Sequence, residues 1–183
     1  MKRTAGAMLF LSLMVVCSVQ AQMGPMTPAP ELKKLDFMAG DWTSEGTANP
    51  APGMPGGKFT SSSHAEWMEG NFFLVEHGVF DMGQMGKAKE LAILGYDSDR
   101  KVYTYHAFNS MGEAESSTGT VNGDTWTWIS DENMGGKLMK GRFTMKVLSP
   151  TSYTMKFEMS PDGTNWMTGM EGKATKKWGS ISR

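Results

Sequence analysis

Apolar and polar residues alternate one by one along most of this chain. In 138–147, Met139, Phe143, Met145 and Val147 share one face, and Lys140, Arg142 and Lys146 the other. In 152–159, Tyr153, Met155, Phe157 and Met159 oppose Thr154, Lys156 and Glu158, while Trp126 and Trp128 stand together against Thr125 and Thr127. A period of two is that of a strand with one buried and one wet face. It predicts a first strand at 41–48 and further strands near 58–68, 71–81, 88–97, 101–109, 113–121, 124–130, 137–147, 152–159 and 165–175. The connections carry turn residues: Glu69-Gly70, Asp97-Ser98-Asp99, Asn122-Gly123, Ser149-Pro150 and Ser160-Pro161-Asp162-Gly163. Asn122-Gly123 reads as a type I′ hairpin turn, in which both central residues take positive φ. Only 72–80 breaks the alternation. Phe72, Phe73, Leu74, Val75, Val79 and Phe80 occupy both faces, which predicts a strand covered on both sides, the second cover being a short helix.

That helix is predicted at 31–39. Pro30 suits its first turn, Leu32, Leu35 and Met38 recur on one side, and Gly40 can end it. One or two turns are not stable alone, so the segment is expected to plug or cap something larger. Residues 22–30, with Pro25, Pro28 and Pro30, read as an extended leader, and 49–57 as the one long irregular loop. About ten strands in hairpin order, with no helix between them to allow parallel pairing, predict an all-β antiparallel up-and-down barrel with a short N-terminal helix. A single barrel domain at 31–178 would then be followed by a tail at 179–183.

The N-terminus adds an address. Lys2 and Arg3 precede an uncharged, mostly apolar run from Ala5 to Val16, and Val19-Gln20-Ala21 supplies small residues at the cleavage positions. This is a signal peptide at 1–21, and it predicts an exported protein, periplasmic or extracellular, that starts at Gln22. The run is shorter than the ~20 residues that span a bilayer. Cys17, the only cysteine, is removed with it, which excludes disulfides, thiolate metal sites and cysteine nucleophiles from the mature chain. If Cys17 were instead acylated, the protein would be a lipoprotein; Val16 before it is bulkier than that processing accepts. Removal of 1–21 leaves sixteen cations against nineteen anions, a net charge of −3. With no basic surplus or Lys/Arg run, nucleic acid is not an expected partner.

Three blocks carry a resemblance: Leu35-Asp36-Phe37-Met38-Ala39-Gly40-Asp41-Trp42, Leu94-Gly95-Tyr96-Asp97, and Phe108-Asn109-Ser110-Met111-Gly112. Together they resemble a bacterial family of unassigned function, domain of unknown function 1579, from about Glu31 to Trp178; the second block is the most specific. The resemblance implies a calycin, or lipocalin-like, barrel with an internal cavity, whose Gly-x-Trp opening is Gly40-Asp41-Trp42. It also implies a cationic side chain over Trp42, supplied by Lys176 or Lys177. It implies no reaction, since fold alone confers none. Nitrobindin-type barrels open in a similar way and hold haem through a late histidine. Here the histidines are His64, His77 and His106, with none after Asn109, so haem is not expected.

The candidate chemistry lies on the inferred inner face. Trp126, Trp128, Met139, Phe143, Met145, Tyr153, Met155, Phe157 and Trp166, with Tyr105, would line an apolar, adaptable pocket for a small apolar or amphipathic molecule. Tyr105 or His64 would fix its orientation. Gly40, Trp42 and Lys176 are expected to be structural. A second reading is metal or redox handling. His64, Glu66 and His77 could meet across a hairpin to hold zinc or iron, and Met82 with Met85, or Met167 with Met170, could chelate Cu(I). No close ligand motif is present, so no metal or other cofactor is expected. The third reading is a fully packed barrel with an interaction role. Glu113 and Glu115 would share a strand face, but no nucleophile elbow or phosphate loop accompanies them, and no enzyme is expected. Oligomeric state is not legible.

Overall fold

The computed structural model describes residues 27–51, 55–134 and 136–177. The segment expected to be a signal peptide, most of the expected Pro-rich leader, Trp178 and the expected tail at 179–183 lie outside them. A 3-10 helix, Pro30–Met38, precedes ten strands: β1 Gly40–Ala48, β2 Gly57–Trp67, β3 Leu74–Asp81, β4 Lys87–Asp97, β5 Val102–Asn109, β6 Ala114–Asn122, β7 Thr125–Met134, β8 Lys137–Ser149, β9 Ser152–Ser160 and β10 Met167–Lys176. Each pairs antiparallel with its sequence neighbours, and β1 pairs with β10, so the sheet closes into a barrel. Closure leaves no free strand edge, which removes the usual route to edge-to-edge aggregation.

The helix is of 3-10 type throughout, and the spacing of its apolar residues gives the reason. Leu32, Leu35 and Met38 recur every three residues, the period of a 3-10 turn. Leu32 and Leu35 are buried, in one cluster with Ala65, Leu74, Leu94, Tyr103 and Trp126. The helix therefore stops one end of the barrel, the end where β1 begins and β10 finishes. Such helices have poor internal hydrogen bonds, and here the barrel supplies external ones. Trp42 Nε1 donates to the Met38 carbonyl at 2.8 Å, Lys176 Nζ to Phe37 O at 3.0 Å, Tyr103 Oη to Glu31 O at 3.0 Å and Trp67 Nε1 to Asp36 Oδ1 at 3.1 Å.

Two expectations of local structure are corrected. In the β6–β7 hairpin Asn122 pairs with Thr125 in the ladder, so the central residues are Gly123 and Asp124. Only Gly123 has positive φ, at 60°, which is the type II′ pattern, with glycine first. The second correction concerns 72–80. Its outer face is open rather than helix-covered, because the helix is spent on plugging the barrel. Phe73 folds over Gly95, where a Cβ would meet its ring at 2.9 Å, and it stays exposed, as do Val79 and the nearby Phe108.

Candidate functional site in the barrel lumen

The strand period divides the inward residues into two zones along the barrel axis. Around the helix they interlock. Trp126 packs on Tyr103 with ring centroids 4.7 Å apart and on Phe37 at 6.1 Å, and Trp42 packs on Tyr153 at 5.0 Å. Lys176 Nζ sits 5.3 Å from the centre of the Trp42 ring, across the Trp42–Lys176 pair that closes the barrel. The lysine expected over the tryptophan is thus Lys176; Lys177 gives only its backbone N–H, to Asp41 O at 2.8 Å. Of the residues expected to line a pocket, Trp126, Met145 and Tyr153 belong to this packed end, and Met155 is buried against Trp42 and Phe59.

Toward the other end the small inward side chains Ala88, Ala92 and Ala107 and the Phe59 ring are buried, and several larger ones are half-buried. Met139, Phe143, Phe157 and Met159, from β8 and β9, form an apolar arc that solvent still reaches. Trp128 marks the border of the two zones. Its ring lies flat over Gly119, where a Cβ would collide with it, and packs 5.9 Å from Tyr105. Trp166 is the one expected lining residue that turns away. β10 starts at Met167, so Trp166 lies outside the strand alternation, and its ring lies under the Arg142 guanidinium at 4.0 Å. Arg142 belongs to the outer face, where its Nε donates to Glu158 at 2.9 Å.

The opposite arc, β3 to β7, is acidic, and the reading of apolar positions missed it. Glu76, Glu90, Glu115 and Glu132 have the same strand parity as the inward Leu74, Leu94, Gly119 and Trp128, so they face the lumen. A hydroxyl accompanies each. Tyr105 Oη donates to Glu90 at 3.1 Å and Ser130 Oγ to Glu132 at 2.6 Å, while Ser63 bonds Glu76 and Ser117 bonds Glu115. The register sets the spacing. Glu76 pairs with Ala92, Ala92 with Ala107, and Ala107 with Glu115. Two buried methyl side chains therefore separate these carboxylates along the register. At Gly141 a Cβ would run into Ser130 and Glu132.

Crowding by protein holds Glu76, Glu90 and Glu115 above the usual carboxylate range. Glu76 is raised by burial, against the Ser63 hydrogen bond, and Glu90 by burial and then by Glu76 and Glu113. Glu115, reached by water through the open end yet hemmed in by the wall, is raised to about 7 by burial and then by Glu132 and Glu90. Tyr105 is pushed well up by burial and by Glu90, Glu76 and Glu115. Among the described residues Lys176 is directed inward at the plugged end, and Lys137 shares the strand parity of Met139 at the exposed rim of β8. Carboxyls crowded together in this way favour protons or a cation beside them.

The other candidates lie outside the lumen. His64 and His77 are directly opposed in the β2–β3 ladder, as a hairpin requires, but on the outer face; His64 Nδ1 is 2.7 Å from Asp41 Oδ1, and Glu66 is 4.0 Å from Nε2. His106 bonds Ser116 at 2.9 Å, also outside. No group of three or more potential ligands gathers at metal-holding distance among the described residues. Met85 and Met167 are exposed, while Met170 packs beside Trp42 and Phe59. Glu113 is not paired with Glu115 on a strand face; it precedes β6 and accepts from Asn109 Nδ2 at 2.5 Å. A cleft of about 850 Å³ crosses the outer face of β8, β9, β10, β1 and β2, with Lys58, Lys146, Lys156 and Lys173 among its lining. Cross-strand pairs Lys156–Glu171 and Lys173–Glu45 make it a mixed, solvated face.

The family profile described as "Protein of unknown function (DUF1579)" matches residues 27–176. The chain belongs to this family. No curated protein matches it in sequence. Among solved structures, that of Rv2717c from M. tuberculosis is similar, with a TM-score of 0.56 and 15% sequence identity, over 82% of this chain and 99% of that one. At that identity the likeness shows the fold alone, a closed barrel. DUF1579 membership adds the extent of the unit, from the residues just before the plugging helix to the closing Lys176.

Proposed function

We propose that this DUF1579 protein is an exported barrel that binds a small amphipathic molecule in its lumen, through the end opposite the helix. One observation carries the reading: the lumen is split lengthwise into an apolar arc and a carboxylate arc, and solvent still reaches both. At the helix end the corresponding positions carry interlocking apolar side chains instead. An alkyl or aromatic body would lie on Met139, Phe143, Phe157 and Met159, whose flexible and planar side chains adapt to irregular shapes. A cationic or hydrogen-bond-donating head would reach Glu76, Glu90 and Glu115. Removal of ~200 Å² of ligand surface from water contributes about 5 kcal/mol before ordering costs, enough for weak to moderate affinity. The reading is one of binding, with no reaction assigned.

The test is titration of protein 22–183 with N-phenyl-1-naphthylamine, a neutral probe whose emission rises in apolar surroundings. Enhanced, saturable emission is expected, lost in Phe157→Ala and retained in the outer-face variant Thr154→Ala. No enhancement at high probe concentration, with the protein folded, would exclude an accessible lumen.

A further inference from the structure

The outside of the barrel is divided as sharply as its lumen. The outward rows of β8, β9, β10, β1 and β2 each carry at least two charges, among them Lys140, Arg142, Glu158, Lys173 and Glu45. The outward rows of β3 to β6 carry none over the middle of their length. From Val75 to Val79, Leu91 to Gly95, Val102 to Phe108 and Ala114 to Thr120 they are apolar or hydroxyl-bearing, and His77 and His106 are the only ionisable side chains among them. Register gathers the large apolar ones. Val75 pairs with Ile93, His77 with Leu91 and Leu91 with Phe108, and Val79 follows on β3. Phe73 extends the group toward the helix end, where the missing Cβ of Gly95 lets its ring lie close against the sheet. Phe73 remains 45% exposed and Phe108 54%. Single apolar residues on a surface need no explanation, but a contiguous group of six marks a place of contact.

We infer that this face is covered by the same face of a second copy of the chain, the two barrels packing side by side about a two-fold axis. The closed sheet offers no strand edge for pairing, so association has to use a face. In a two-fold contact each patch meets itself, and a charge near the axis would meet its like. This patch has no such charge. Its rim carries both signs at either end: Asp81 and Lys87, 3.1 Å apart, with Lys89 at the open end, and Asp97 with Arg100 at the helix end. A second copy therefore meets opposite charges around an uncharged centre, the usual anatomy of a protein interface, whereas an anionic bilayer selects a rim of cations. The area agrees. Four strands ~4.8 Å apart and about six residues of ~3.3 Å rise project to roughly 400 Å². Side-chain relief and the rim bring this near the ~600 Å² per partner at the lower bound of specific interfaces, so the pair is weak and reversible. The face runs along the side of the barrel and leaves the open end uncovered, so pairing and luminal binding are independent.

The experiment is sedimentation velocity of protein 22–183 at concentrations from about 1 to 500 μM. A concentration-dependent monomer–dimer equilibrium is expected, with Kd in the micromolar range. Phe108→Lys places a cation in each facing patch and should raise Kd at least about a hundredfold. Its side chain is exposed, so the Tm of the dilute protein should not change. Val79→Lys should act in the same way, and Thr144→Lys, on the charged half of the barrel, should leave Kd unchanged. A monomer throughout the concentration range overturns the pairing. A dimer that both Phe108→Lys and Val79→Lys leave intact overturns it too, since the contact would then lie elsewhere. Flotation with phosphatidylglycerol vesicles that Phe108→Lys abolishes, with the wild type monomeric in solution, would give the face to a membrane and overturn it equally.

Discussion

The two ends of this barrel are built from the same strands and by opposite rules. At the helix end every inward position is filled. Leu35 and Leu74 have no exposed surface, Trp126 packs edge to face on Tyr103, and Trp42, Tyr103, Trp67 and Lys176 each donate a hydrogen bond to the helix. At the open end inward positions carry carboxylates, hydroxyls, methyl groups and partly wet thioethers and phenyl rings. The first end uses its residues for stability, since buried apolar area and satisfied polar groups both favour the folded state. The second keeps desolvated carboxyls close together, an arrangement that costs stability when they ionise. Strain of that kind is retained where a site needs it.

Substitutions can break this comparison. The largest effect is expected from Leu35→Ala at the plug, which leaves a sealed cavity and should cost about 2–5 kcal/mol in denaturant unfolding. A cost below about 1 kcal/mol would mean that the helix is not part of the core. Lys176→Met keeps the stem over Trp42 but removes the donor to Phe37 O; a loss of about 1–2 kcal/mol is expected, read as a lower Tm. Phe157→Ala at the open end should cost about 1 kcal/mol or less, because its neighbours are already wet, yet it should abolish probe uptake. The opposite pattern, a large stability cost with unchanged uptake, would make Phe157 a core residue.

Titration sharpens the contrast further. Glu76, Glu90 and Glu115 have raised values in the folded state, so the protonated carboxyls favour folding. Their contribution is fully present below the unfolded carboxylate value of about 4.3 and is lost as pH rises through the folded values, about 7 for Glu115. The outer face runs the other way. Against the cost of burial, hydrogen bonds from Lys156 and Arg142 hold Glu158 below the usual range, so its contribution is lost as pH falls. The ligand-free protein should therefore melt at a lower temperature at pH 8 than at pH 5.5, and Glu115→Gln should reduce that difference. The smallest effect is reserved for Trp166→Ala, which removes a cation–π contact on the outer face; a loss of about 0.5–1 kcal/mol with unchanged probe uptake is expected.

Much of this was legible without coordinates. The ten strands, their order and the inward parity of Phe143, Phe157 and Met139 follow from alternation, and the plugging role of the helix follows from its being too short to stand alone. The acidic arc was not read, although its signal was present. Glu90 lies at even spacing from Ala88, Ala92 and Leu94, and Glu132 from Trp126 and Trp128. Parity counted outward from unambiguous apolar residues places both inside, whereas a search for apolar positions alone passes over a glutamate as a wet-face residue. Trp166 misled for the converse reason, because an aromatic residue one position before a strand has no parity to obey.

By itself the sequence determined the strands and which side chains within a strand share a face, because the period of two is a local property of a pleated backbone. Tertiary structure alone decided which faces meet. The pairing of β1 with β10, the seating of the helix at one end, and the gathering of Glu76, Glu90, Glu115 and Glu132 opposite Phe157 and Met159 all depend on register summed around a closed sheet. That sum links residues far apart in the chain, and no local pattern encodes it.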